Sequence, residues 1–422
     1  MYLGIDFGTS GARGIVIDSA AKIVAEVRFV FDVSCETDLT NLTNCWQTAL
    51  FTLLEQINKE LRRQITRIAI NGTSSTVLLC DAGGNPVDAP LLYNDARGAV
   101  MGEKLKDIAP ANHTVLSATS SLVKLLWMME LPSFTKAKYF LHQADWLGFL
   151  LHGKLGISDY HNALKLGYDV EALEYPEWLS KLQISIHLPK VTIPGNAVGE
   201  LRCDIANKYN FPKNCLVCAG TTDSIAAFIA SGANSPGLGV TSLGSTLVLK
   251  LLSRTRVDNF KYGIYSHRFG DLWLTGGASN TGGAVLKQFF SNEELEKISG
   301  EIDVKKSSGL DYYPLLKTGE RFPINDSNLP PQLEPRPDNS VEFLHGLLES
   351  MARIEARGYE LLQELGADNL NCVYTAGGGA KNLVWSEIRK QYLGVPVISS
   401  INTEAAYGSA LLAMKGLKSA EM

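Results

Sequence analysis

No stretch of this sequence reaches the roughly 18 consecutive apolar residues that a membrane-spanning helix requires, so no membrane association is expected. The first residues lack a basic region followed by an apolar one, so no secretory leader is expected either. Basic clusters are also missing. Lys and Arg are scattered, Arg62-Arg63 is a short exception, and the net charge is -5. Nucleic acid is therefore not an expected partner, and any anion must be bound locally, by backbone N–H groups and a metal. The seven histidines show no HxxxH or HExxH spacing. The seven cysteines are odd in number and irregularly spaced, which reads as reduced thiols in a cytoplasm-like compartment. Cys215 and Cys218 form one CxxC, but no second Cys/His pair lies nearby. On a strand, residues three apart face opposite ways, so this pair reads as strand core.

Low-complexity sequence and long linkers are absent as well. What is present is a mixture of strands and helices over 422 residues, 45% of them hydrophobic, which is enough for two domains. "YLGIDFG" and "ARGIVID" read as strands joined by a Gly/Thr/Ser turn, and "ITRIAIN" (65–71) reads as another. Residues 46–61 fit a helix, as does "ADWLGFLLHGKL". "DSIAAFIASGA" reads as a helix ending near Gly232. Residues 340–365 form a long amphipathic pattern with Gly366 placed to end it. "TEAAYGSALLAM" reads as a closing helix with Asn402 or Thr403 as cap. The class is α/β or α+β.

One internal echo suggests chemistry. "IDFGTS" (5–10) aligns with "TSLGST" (241–246), matching Gly8 with Gly244, Thr9 with Ser245 and Ser10 with Thr246. Glycine lets a ligand approach the backbone, and successive N–H groups in such a turn make an anion nest. Only the first turn carries a carboxylate, Asp6. One carboxylate beside phosphates suits Mg²⁺, which keeps several waters. The expected ligand is Mg·ATP, with Asp6 on the hydrated metal. A tight hairpin with no ligand fits either turn alone. Two further glycine turns, at Gly276-Gly277 and Gly377-Gly378-Gly379, strengthen the nucleotide reading. Asp223, in "AGTTDSIAAF", follows a strand and opens a helix. It reads as a helix cap or as a general base, and Thr221, Thr222 and Ser224 compete for the capping role.

Eight segments in order resemble the FGGY family of carbohydrate kinases. They are "GIDFGTSGARGIVID", "LLYNDARG", "SSLVKLLWMME", "QADWLGFLLHGKLGISDYHNA", "AGTTDSIAA", "YYPLLKTGERFP", "TAGGGAKN" and "TEAAYGSALLA". The resemblance implies a two-domain α/β protein of the actin-like, sugar-kinase ATPase fold, with ribonuclease H-like domains and an interdomain cleft. It implies a sugar-binding domain over 1–222 and an ATP-binding domain over 223–422, with a last helix near 403–415 packing back on the first. Asp223 would be the base. Asp6, Ser10, Gly11, Thr73, Ser74 and Asp223 would meet the sugar. Gly8, Thr9, Gly244, Ser245, Thr246, Gly276, Gly378, Gly379 and Asn382 would line ATP.

The Arg-Glu pair of glycerol kinases is absent from "NGTSST", and so are the Gln and His of xylulose kinases. The motif set is similar to the short D-ribulose kinases of photosynthetic organisms. D-ribulose, phosphorylated at its terminal hydroxyl, is the expected substrate. Another ketose or polyol such as D-xylulose, or a non-sugar actin-like ATPase, are the alternatives. The expected location is the cytoplasm, or the plastid stroma if a transit peptide has been removed.

Overall fold

The computed structural model describes residues 1–32 and 39–417. Two compact units divide the chain. The first comprises Met1–Ala230 and Glu404–Met422, the second Ser231–Thr403. The divide falls after Ala230, not after Thr222 as the sequence suggested, so Asp223 and the helix that it opens lie in the first unit.

The first unit is built on a seven-stranded sheet. Its strands are β1 (Tyr2–Phe7), β2 (Gly11–Ile17), β3 (Ile23–Val30), β4 (Arg67–Gly72), β5 (Ala197–Glu200), β6 (Leu216–Cys218) and β7 (Thr221–Thr222). The order is β3-β2-β1-β4-β6-β5, with β7 also on β4. β1 and β2 form an antiparallel hairpin, whereas β4 runs parallel to β1. A parallel return needs a crossover, and helix α1 (Leu42–Gln56) provides it. The helix expected over 46–61 breaks at Ile57, which is extended, and Asn58 caps a separate short turn.

Alternation along β1 assigns its two faces. Leu3, Ile5 and Phe7 join Trp46, Leu50 and Leu53 of α1 in one core. Helix α2 (Ser121–Met128) belongs to a neighbouring core, and helix α3 (Gln143–His152) lies against β4. The opposite face receives α4 (Asp223–Ser231) and the final helix of the unit.

Gly4 sits under that final helix. A Cβ there would lie 2.0 Å from the Ala406 carbonyl oxygen and 2.1 Å from Ala410 N. The Asn71 amide on β4 donates to Ser409 Oγ at 2.8 Å and fixes the same docking. The helix is preceded by Glu404, which pairs with Arg13, and not by a capping Asn402 or Thr403 side chain. Gly4→Ala is expected to force the helix off the sheet and to cost about 1–3 kcal/mol, because backbone atoms cannot yield as a side chain does. A lower apparent Tm in a thermal melt is the expected result; an unchanged Tm would contradict the close approach.

The second unit repeats the plan. Its strands are β8 (Leu238–Leu243), β9 (Leu247–Ser253), β10 (Tyr265–Phe269), β11 (Leu272–Ser279), β12 (Cys372–Ala376) and β13 (Val397–Ser399), ordered β10-β11-β9-β8-β12-β13. Again the first two strands form a hairpin, and the strand on the other side of β8 is parallel to it. The short echo in sequence is thus a repeated topology. Helix α5 (Gly283–Phe289) follows β11. Helix α6 (Ser340–Glu364) is the crossover, capped by Asn339 and followed by Gly366 at φ +105. It packs on α7 (Leu383–Leu393). Between them the fully buried Arg389 guanidinium grips the Glu355 carboxylate at 2.6 and 2.7 Å, with Thr375 and Thr241 as further partners. Such a pair is tolerable in a core only because its hydrogen bonds are satisfied. The chain then returns to the first unit with α8 (Ala405–Lys415).

Among the described residues no helix is long and apolar enough to cross a membrane. Cys215 and Cys218 are buried free thiols, as strand core requires. Cys45 departs from the reduced-thiol expectation, being disulfide-bonded. Sequence interval does not report such a bond, which depends on proximity in space.

Candidate active site

In both units the turn after the first strand presents a glycine to open space. Gly8 N donates to the Gly11 carbonyl at 3.0 Å, and Gly244 N to the Thr246 carbonyl at 3.2 Å. A Cβ on Gly8 would meet only Gly11 O, at 3.7 Å, and one on Gly244 only Thr246 O, at 3.7 Å. Neither glycine has a positive φ, so their value is open room above the backbone. Thr9, Ser10 and Ser245 are exposed.

Asp6 is the penultimate residue of β1 and Asp223 follows β7; both strands flank β4 and run parallel to it. The carboxyl ends of parallel strands are the usual place for a ligand in α/β sheets. Asp6 Oδ1 is buried without a hydrogen-bond partner. Burial, and then the nearby Asp223 carboxylate, push the Asp6 pKa up to about 7, and Arg13 offsets this only in part. An orphaned carboxylate oxygen beside a second carboxylate suits a hydrated cation, so the residues present fit Mg²⁺. Asp223 Oδ1 accepts from Ser224 N at 2.6 Å. Thr221 Oγ1 bonds His161 Nδ1 at 2.7 Å, and Thr222 Oγ1 has no partner.

A cavity of about 110 Å³ lies beside the first turn. Gly8, Thr9, Thr73, Leu92, Tyr93 and Gln143 contribute to its wall, with Leu39, Leu42 and Trp46 supplying apolar surface. Of the expected site residues, Gly8, Thr9 and Thr73 therefore meet in one place. Asp6, Ser10, Gly11, Ser74 and Asp223 do not line that cavity. Gly11 is required by β3, since its Cβ would lie 2.4 Å from the Phe29 carbonyl oxygen.

Tyr93 and Gln143 were not expected as site residues. The signal for Tyr93 was the aromatic-x-Asp-x-Arg segment, which is held rigidly. Arg97 forks onto Asp95 and lies 4.9 Å from the Trp127 ring centre. Lys124, fully buried, donates to the carbonyls of Ser75 and Leu92 at 2.7 and 2.6 Å, tying two lining segments together.

In the second unit, the Gly244–Thr246 turn rests on residues 281–284. Leu247 N donates to Thr281 O at 2.8 Å, Gly283 N to Gly244 O at 2.9 Å and Ala284 N to Ser245 O at 3.1 Å. The turn expected at Gly276-Gly277 is instead the interior of β11. A Cβ on Gly276 would lie 1.9 Å from Leu249 O, so this glycine serves strand packing. The true turn follows at 280–282. Buried Glu320, in "TGERFP", anchors it by accepting from Ser279 Oγ at 2.6 Å and Asn280 N at 2.7 Å. After β12, Gly378–Lys381 form a short 3-10 turn, and a Cβ on Gly378 would meet nothing within 4 Å. Gly379 is packed against Leu243 and Trp385. Asn382 caps α7 through Trp385 N at 2.9 Å, and its amide donates to Ser299 Oγ at 2.8 Å.

Comparison with known proteins identifies the family. Residues 1–230 match the N-terminal domain of the FGGY family of carbohydrate kinases, and residues 239–417 match its C-terminal domain. A xylulose kinase of Bacillus subtilis is 26% identical over 98% of this chain and 88% of its own length. One of Streptomyces coelicolor is 27% identical over 94% and 84%. The crystal structure of a xyloylose kinase from Brucella ovis superposes with a TM-score of 0.85 at 24% identity, over 98% of this chain and 90% of that one. The fold is the two-domain, actin-like fold of sugar kinases. With both halves matched, the chain belongs to the FGGY family of carbohydrate kinases and is an ATP-dependent sugar kinase.

Proposed function

We propose that this kinase phosphorylates the terminal hydroxyl of a pentulose, with D-ribulose as the preferred substrate. The carrying observation is the Asp6/Asp223 pair at the carboxyl ends of parallel strands; Gly8 and Thr9, which follow Asp6 in sequence, wall a small cavity with Thr73, Tyr93 and Gln143. In the reaction the substrate oxygen attacks the γ-phosphorus in line, and Asp223 accepts the hydroxyl proton. The new O–P bond forms as the bond to the β-phosphate oxygen breaks and ADP leaves. In each unit the turn after the first strand offers room above its glycine, Gly8 or Gly244, and an exposed hydroxyl, Thr9 or Ser245, that suit a phosphate. Asp6 would hold Mg²⁺, which would supply neutralising charge.

The small residues Thr73, Ser74 and Ser75, in place of a Gln and His, favour D-ribulose. The names of the relatives favour D-xylulose, which is the second reading. The test is ADP release with Mg·ATP against D-ribulose, L-ribulose, D-xylulose and glycerol. The highest kcat/KM with D-ribulose is the expected result. A preference for D-xylulose would replace the first reading by the second, and turnover only with glycerol would overturn both.

A further inference from the structure

Gln143 opens α3 and is 2% exposed. Its Oε1 accepts from Thr73 N at 3.0 Å and from Thr73 Oγ1 at 3.3 Å. The backbone N–H can only donate, so the orientation of the amide is fixed: oxygen toward Thr73, nitrogen away from it. Among the described residues Nε2 makes no hydrogen bond, although Gln143 forms part of the cavity wall with Gly8, Thr9 and Tyr93. Nε2 is not sealed from solvent, so its N–H groups are open to a ligand in the cavity. Nε2 can only donate. The other polar side chains of the wall, Thr9, Thr73 and Tyr93, are hydroxyls that both donate and accept, and so suit sugar hydroxyls.

Resting on the pentulose reading, we propose that Gln143 is a specificity-determining residue whose Nε2 donates to the carbonyl oxygen of the open-chain ketose. That oxygen is the one atom of such a sugar that only accepts. Lys124 and Thr73 then act as positioning residues: Lys124 pins Ser75 and Leu92 on either side, and Thr73 orients the amide.

Gln143→Glu separates the two roles of the side chain. It keeps an acceptor for Thr73 and turns the inward donor into an acceptor, which a carbonyl cannot satisfy and a hydroxyl can. The experiment measures kcat and KM of the full-length protein for D-ribulose, D-xylulose and the polyol ribitol, at saturating Mg·ATP. In Gln143→Glu, KM for the better ketose is expected to rise roughly tenfold to hundredfold, with KM for Mg·ATP unchanged and the ketose-over-ribitol ratio reduced. Gln143→Met, which has neither group, is expected to lose ketose affinity as well, and guards against misfolding of the charged variant. If Gln143→Glu behaves as wild type while Gln143→Met is impaired, the residue merely supports Thr73 and the proposal fails. Wild type inert toward both ketoses would overturn the pentulose reading itself, whereas an active wild type with unaltered variants overturns only the role of Gln143.

Discussion

Asp223→Asn is expected to lower kcat by about 100- to 10,000-fold, the range over which a positioned general base acts. KM for Mg·ATP should change little. The substitution keeps the size of the side chain and its place at the start of α4, but the amide cannot accept the hydroxyl proton. Phosphoryl transfer asks little of the protein beyond placement, charge neutralisation and that acceptor, so losing the acceptor should appear in kcat and not in nucleotide binding. Steady-state kinetics with the preferred sugar, alongside direct measurement of nucleotide binding, separate the two. Turnover within a few-fold of wild type would remove Asp223 from the role of base.

Asp6→Asn is expected to act in opposite directions on activity and on stability. Turnover that depends on Mg²⁺ should collapse. The metal-free protein should melt higher at neutral pH, because a buried carboxylate oxygen without a partner, next to Asp223, no longer has to be ionised. The pH dependence follows from the raised pKa. Below about pH 4 Asp6 is protonated whether the chain is folded or unfolded, so it adds nothing. As pH rises from about 4 to about 7, the unfolded chain releases this proton and the folded one retains it. Folding is then progressively disfavoured, by at most about 4 kcal/mol, and the effect is flat above pH 7. The difference in Tm between wild type and Asp6→Asn without metal should therefore grow across that window. Addition of Mg·ATP should narrow it, since a ligand that uses the carboxylate stabilises only the wild type in this way. Equal melting curves at every pH would show that Asp6 is better solvated than its burial indicates.

Much of the fold can be read from the residues. The hairpin around Gly8, the strand over 67–72 and the helix over 340–364 follow from apolar spacing and from the residues that punctuate it. Local pattern misleads where tertiary contact overrides it. Gly276-Gly277 looks like a turn, yet Leu249 presses its backbone against the first of the two and Phe322 covers the second. Residues 46–61 keep a helical spacing through Ile57, yet the chain breaks there and Asn58 starts a new turn. The Gly8 and Gly244 turns could be located from the residues because each holds its glycine and hydroxyls within a few positions. Gln143 could not, because its meaning depends on Thr73, which is 70 positions away. Glu320 is hidden for the same reason, being 41 positions from Ser279.

The docking of α8 on β1 has a consequence for how the protein is made. The sheet that holds Asp6 is translated before the helix that seals Gly4, Ala69 and Ile15, with the whole second unit between them. A nascent chain therefore carries an unsealed sheet face until that helix has been made. The second unit, which is continuous in sequence, has no such wait. Chaperone occupancy on the ribosome should accordingly fall only when residues 405–415 emerge. A chain stopped at residue 403 should keep the second unit soluble within an otherwise aggregation-prone product.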